Sequence, residues 1–226
     1  MARRPSLLQY LDEELLASEL FQQAITHRSA GRRHNERLEF LGDSVLNLIV
    51  SQHLYRHRPE ATEGELSRLR AHLVRGETLA EIAAASELGR YLKLGSGELK
   101  SGGQRRESIM EDALEAIIGA VYELRGFEAA RDFVHALYGA RLDELPEAEA
   151  LKDPKSRLQE WLQGRGEPVP EYRVLDVRGE PHRQVFRVEC RIPSRDLVTV
   201  AEGGSRRKAE QAAAEQALAR LQEGAA

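Results

Sequence analysis

The twelve residues Asn35-Glu36-Arg37-Leu38-Glu39-Phe40-Leu41-Gly42-Asp43-Ser44-Val45-Leu46 place the tightest demand on what this chain can become. Set on a helix at roughly 100° per residue, Glu36, Glu39 and Asp43 fall within about 60° of one another, and Leu38, Leu41, Val45 and Leu48 crowd the opposite face. The segment is a helix with an apolar back and an acidic front. At an effective dielectric near 20, two charges about 5 Å apart oppose each other by roughly 3 kcal/mol. A cation would offset that repulsion, and clustered oxygen ligands suit Mg²⁺ or Mn²⁺. A merely solvated acidic face is the alternative. Phe40 projects roughly 130° from the centre of the Leu/Val stripe. An aromatic there is either covered by another segment of this chain or inserted into a partner, and spacing alone favours cover from within.

Residues 1–140 read as helix after helix. Short amphipathic segments run from Leu7 to Leu16 and from Glu19 to Ala24, and Thr26-His27-Arg28-Ser29 closes the second. Asn35 is placed to cap the acidic helix, which stops before Pro59. A helix with Leu66, Leu69, Leu73 and Val74 at helical spacing follows Thr62-Glu63-Gly64. Gly76 interrupts it, and a further segment continues to Leu88-Gly89. The loop 95–106, with four glycines and three cations, leads into a helix from Glu107 to about Leu124. There Asp112 and Glu115 share a face, flanked by Ala116 and Gly119, where another helix could approach closely. Glu111, roughly 100° from Asp112, is expected in solvent.

The acidic, aromatic-free run 141–151 contains Pro146 and is the best linker candidate. Beyond it the period changes. Asp153-Pro154 is a good N-cap and N1 pair for a helix through Leu158, Trp161 and Leu162. Strands are expected over Tyr172–Val177, Val185–Cys190 and Leu197–Glu202, then a helix from Ser205 to about Leu221. An α-β-β-β-α order in about 70 residues describes a small independent domain.

Composition excludes several classes. No apolar stretch of about 18 residues exists, so no membrane span is expected. The start, Met1-Ala2-Arg3-Arg4-Pro5, lacks the apolar core of a secretory signal. Cys190, the sole cysteine, rules out a disulfide framework or a Cys-based zinc site and points to a reducing cytoplasm. His27, His34, His53, His57, His72 and His135 form no spacing that suggests a metal site or a general base. Net charge is −4, divided as +2 over 152–226 and −6 over the remainder, so any polyanionic partner must be met by local patches and metal ions.

One such patch sits at the start of the last helix. Arg206, Arg207 and Lys208 occupy a first turn where the helix dipole disfavours cations by roughly 0.3–1 kcal/mol each. Gly203-Gly204-Ser205 precedes them with exposed amides. An anion as the intended guest resolves the conflict, and a phosphate backbone fits best. Elsewhere, Glu36/Glu39/Asp43 and Asp112/Glu115 are the two acidic constellations on helices with apolar backs. If these faces converge, four or five carboxylates could hold one or two divalent ions for phosphodiester hydrolysis. Glu63, at a loop–helix junction, could reach the same cavity.

The stretch 35–46 resembles the signature of the bacterial ribonuclease III family of double-strand-specific endoribonucleases. Thr26–Ser29, Thr62–Ser67 and Ser108–Ala116 follow in that family's order, and Lys152–Glu160 and Ser205–Glu210 are similar to its double-stranded-RNA-binding domain. The likeness spans nearly the whole chain. It implies a mainly α protein with a helical catalytic and dimerisation domain at 1–145, a linker at 146–152 and an α-β-β-β-α RNA-binding domain at 153–223. It further implies Glu39, Asp43, Asp112 and Glu115 as ligands of Mg²⁺, with Mn²⁺ a possible substitute and no small-molecule cofactor. Asp43, Glu115, Glu36 and Glu63 match residues of the cleavage site. Phe40 matches an aromatic inserted into the second subunit of a homodimer, which reverses the preference from spacing. Gln159, Gln163 and His182 match minor-groove contacts. Arg206, Arg207 and Lys208 match phosphate contacts, and Arg105 and Arg106 lie in a loop that would grip the RNA backbone. The implied activity is cutting of both strands to 5′-phosphate and 3′-hydroxyl ends with two-nucleotide 3′ overhangs, in ribosomal RNA precursors and some messenger RNAs. A non-cleaving double-stranded-RNA-binding regulator is the alternative.

Overall fold

A computed structural model describes residues 7–180 and 182–223, which divide after Leu151 into two compact units. The first is helical: α1 (Glu13–Ala17), α2 (Glu19–Ala24), α3 (Glu36–His57), α4 (Glu63–Val74), α5 (Gly76–Ala85), α6 (Ser96–Lys100) and α7 (Glu107–Tyr138). Among the described residues no helix is long and apolar enough to cross a membrane.

The helix ends follow local chemistry, with one exception. Asp12, Ser18 and Thr62 each accept a backbone N–H in the first turn of α1, α2 and α4, and Thr62 with Glu65 forms a reciprocal capping box. Asn35 holds the N-cap position of α3 but makes no cap bond through its side chain, contrary to expectation; its own backbone is already helical and its side chain is buried. The helix from Glu107 runs to Tyr138 rather than ending near Leu124, with one break at Gly126. At φ 80° that residue has left the helical region for one that glycine enters without steric cost.

The core of this unit is α3 against α7, with α5 and α2 alongside. Leu46, Ile49, Leu54, Leu114, Ile117 and Ile118 are fully buried, each contributing roughly 1.5–3 kcal/mol. Leu48, expected with the core stripe, is instead 56% exposed, because its direction lies toward the open face of α3. Two glycines let the helices touch. A Cβ on Gly42 would lie 1.8 Å from the Glu115 carbonyl oxygen, and one on Gly119 would lie 2.3 Å from that of Leu38. Backbone therefore meets backbone beside the acids of both helices. The run proposed as a linker is attached to this unit: Leu145, Ala148 and Leu151 pack on its core, and Arg68 Nε donates to the Ala148 carbonyl at 3.2 Å.

The second unit is α8 (Pro154–Gln163), the antiparallel sheet β1 (Glu171–Arg178), β2 (Val185–Ile192), β3 (Leu197–Gly203) in that order, and α9 (Arg206–Glu223). A register shift between Val174 and Asp176 bends the β1–β2 pair. Ala213, Ala214 and Ala217 are fully buried; their small side chains let α9 lie close to the sheet beneath it. The alternation of β2 brings Cys190 and Ile192 inward against Leu158 and Leu162.

Candidate active site

The α3–α7 crossing brings both acidic constellations to one place. A cleft of about 570 Å³ is lined by Glu36 and Glu39 of α3, Asp112 of α7, and His27, Arg28 and Arg106 from adjoining segments. Asp43 and Glu115 lie one helical turn along from Glu39 and Asp112, outside the cleft lining. Electrostatics joins all of them. Glu115 is 9% exposed, and its pKa is pushed up to about 8, first by burial, then by the charges of Asp43, Glu111, Glu39 and Asp112. Burial also raises the carboxyl of Glu39, aided by Asp112, Glu36 and Glu111. Asp112 is raised by burial too, against the opposing pull of His27 and Arg28.

Glu111 is not the solvent-exposed residue expected from its angle to Asp112. It is half-buried, its carboxylate lies over Gly76, and its pKa is raised by burial and by the charges of Asp112 and Asp43. The overlooked signal was the four-residue interval to Glu115, which puts both acids on one face. Asn47 was missed for a similar reason: four residues beyond Asp43, its Nδ2 donates to the Asp43 carboxylate at 2.8 Å. His27 lines the cleft with Nδ1 2.8 Å from the Ser29 hydroxyl, although no spacing had singled it out. Arg28 donates to Glu36 at 3.3 Å.

Glu63 is not among the residues lining the cleft; it is exposed and accepts a bond from the Ser67 hydroxyl at 2.8 Å. Arg106 lines the cleft, paired with Glu98 at 3.1 Å, whereas Arg105 lines a separate cavity with Gln104 and Met110. Phe40 is 79% exposed, so no segment of its own unit covers it, and the reading from spacing alone is overturned.

Among the described residues, no three acidic, histidine or cysteine side chains already stand as a finished metal cage. The donor set nonetheless suits a hard divalent ion: oxygen ligands only, at a place where several carboxylates raise one another's pKa.

The second unit presents a polar surface of another kind. Gln159 and Gln163 are exposed one turn apart on α8. His182, between β1 and β2, is exposed beside Glu180 at 3.7 Å. Arg206, Arg207 and Lys208 are exposed in the first turn of α9, where the Ser205 hydroxyl accepts the Lys208 N–H at 3.2 Å.

Comparison with known proteins gives a consistent result. A "Ribonuclease-III-like" family model matches residues 17–142, and a "Double-stranded RNA binding motif" model matches 154–221. A protein of Vibrio cholerae named Ribonuclease 3 is 55% identical over 207 residues, which is 92% of either chain. Two solved structures of the ribonuclease III nuclease domain from Campylobacter jejuni also match. One is 40% identical with a TM-score of 0.54, covering 57% of this chain and 94% of that one; it is described for flexibility in a region involved in dimer formation. The other is 38% identical with a TM-score of 0.55, covering 62% and 98%.

Proposed function

This chain belongs to the ribonuclease III family and is an endoribonuclease of double-stranded RNA, and from that premise we propose that the acidic cleft between α3 and α7 is where it cuts. Glu39, Asp43, Asp112 and Glu115 would hold Mg²⁺, with Mn²⁺ a workable substitute. When bound, the ion supplies an activated water and offsets charge building on the phosphate. The observation that carries this reading is Glu115, a buried acid raised to about 8 by burial and by four neighbouring carboxylates. A non-cleaving binder gains nothing from such concentrated repulsion.

The chain's own groups have definable tasks. Asn47 holds the Asp43 carboxylate in one orientation. Glu36 restrains Arg28 at the cleft, where the guanidinium is suited to a backbone phosphate of the scissile strand. Arg106, tied to Glu98, is placed to do the same from the opposite segment. Glu63 and Arg105, outside the cleft lining, would serve along the RNA track. Burial of Glu115 keeps bulk water from screening the acids, so a bound cation is felt strongly there.

Phe40, Leu48 and Tyr55 are exposed on one face of α3. We assign that face to a homodimer contact, giving two clefts that each cut one strand. Products would be short duplexes with 5′-phosphate, 3′-hydroxyl and two-nucleotide 3′ overhangs, from ribosomal RNA precursors and some messenger RNAs in the cytoplasm. Gln159, Gln163 and His182 would read the minor groove and the α9 turn the phosphates, a recognition of A-form shape.

The deciding experiment incubates a long RNA duplex with the protein, with and without Mg²⁺, and repeats it with Glu115→Gln. Metal-dependent cutting lost in the variant, with RNA binding retained, is the expected result. Cutting that survives in Glu115→Gln removes that residue from the site.

A further inference from the structure

Glu210 lies in the second turn of α9 and is only 7% exposed. Its two oxygens are used by two different helices. Lys155 Nζ, in the first turn of α8, donates at 2.6 Å, and Arg206 Nε, which opens α9, donates at 2.8 Å. The Lys155 ammonium also sits over the Tyr172 ring of β1, with Nζ 4.4 Å from its centroid. One carboxylate thus clamps the start of α8 to the start of α9. Burial alone would raise its pKa, but the two cationic donors outweigh burial and keep it ionised.

The placement of an acid here is otherwise hard to justify. A carboxylate beside a surface meant for phosphates repels them, unless it is neutralised and put to another use. With Lys155 and Arg206 the cluster carries a net positive charge. Because Arg206 donates to Glu210 through Nε, the planar guanidinium has its Nε side anchored, and its end edge, formed by the two terminal nitrogens, is left free of that bond. The Arg206 side chain is mostly exposed, so that outer edge is open to a ligand. Gln159 and Gln163 stand one and two turns along α8 from the clamped Lys155.

We propose that Glu210 is a positioning residue for duplex RNA: it fixes the Arg206 guanidinium for a phosphate and sets the spacing between that phosphate contact and the groove-facing side of α8. An A-form duplex offers groove and phosphates at set separations, so two reading elements on different helices need a rigid tie. The proposal rests on the reading of the α9 turn as a phosphate contact.

The test uses the full-length protein and a long RNA duplex. Affinity is measured in chelator over a series of KCl concentrations, and cleavage kinetics are measured with Mg²⁺. For Glu210→Gln we expect Kd and KM to rise about 5- to 10-fold with kcat unchanged at saturation. The slope of log K against log salt should become shallower by roughly 0.9, the share of one phosphate contact. Arg206→Lys keeps the charge but loses the Nε tie, and should show the same rise in Kd. The double variant Glu210→Gln/Arg206→Lys should be no worse than either single one. Wild-type binding by Arg206→Lys overturns the proposal, as does a folded Glu210→Gln protein with unchanged KM and salt slope. If Arg207→Ala/Lys208→Ala binds RNA as tightly as wild type, the phosphate reading itself has failed, and the clamp falls with it.

Discussion

Gly42 of α3 presses its Cα against the Glu115 carbonyl of α7, with no room between them for a methyl group. The same residue precedes Asp43, and its neighbour across the crossing is the buried acid itself. Spacing of the helices and spacing of the carboxylates are therefore one quantity.

Gly42→Ala should lower stability by roughly 1–3 kcal/mol or more, since backbone rather than a flexible side chain must yield. It should also depress metal-dependent cleavage more than the stability loss explains, because Asp43 and Glu115 move apart. Gly97→Ala, where an added Cβ meets nothing within 4 Å, is the control and should be close to neutral. Chemical denaturation midpoints and cleavage rates of the three proteins decide this.

For Glu115 the folded pKa of about 8 lies above the usual carboxylate value of 4.5. The folded chain therefore holds a proton that the unfolded chain has lost between those values, and stability of the metal-free protein falls as pH rises from about 4.5 to about 8. Glu115→Gln should remove that slope and, above pH 8, gain on the order of a few kcal/mol. Denaturation in chelator at pH 6 and pH 9 measures it; equal slopes for both proteins would contradict the assignment.

His53 predicts the opposite trend in the same unit. It is 6% exposed, and it stacks on His57 at 4.1 Å and edge-on to His135 at 5.2 Å. Burial, then His57 and His135, hold its pKa below 6.5 despite Asp143 at 3.6 Å. As pH falls below 6.5 the unfolded chain takes a proton that folded His53 refuses, so stability drops until the folded pKa is passed. His53→Phe should flatten that part of the acid limb, read as the thermal midpoint at pH 7.5 and 5.5.

Phe40→Ala should leave the stability of a single subunit almost unchanged, given the exposure of the ring. Self-association should weaken at least tenfold. Sedimentation velocity over a dilution series checks it, and an unaltered dimer would move the contact elsewhere.

How much the chain disclosed in advance depended on the range of the interaction concerned. The Asp43–Glu115 meeting was foreseeable as a possibility because each helix advertised an acidic face and Gly119 a close approach. The strands were marked by alternation such as Val188, Cys190, Ile192. Missed features were tertiary in origin. Leu48 and Glu111 have angles compatible with either side of a helix, and only the neighbouring segments decide which is covered. Asn35 makes no side-chain cap bond because its backbone is already helical rather than extended, and Gly126 breaks α7 without ending it.

The complete burial of Cys190 in the smaller unit gives the molecule an internal reporter. A thiol reagent reaches that sulfur only when β2 parts from the layer of alanines above it. The rate of labelling therefore times the opening of the RNA-binding half, while the catalytic half, having no thiol, stays silent.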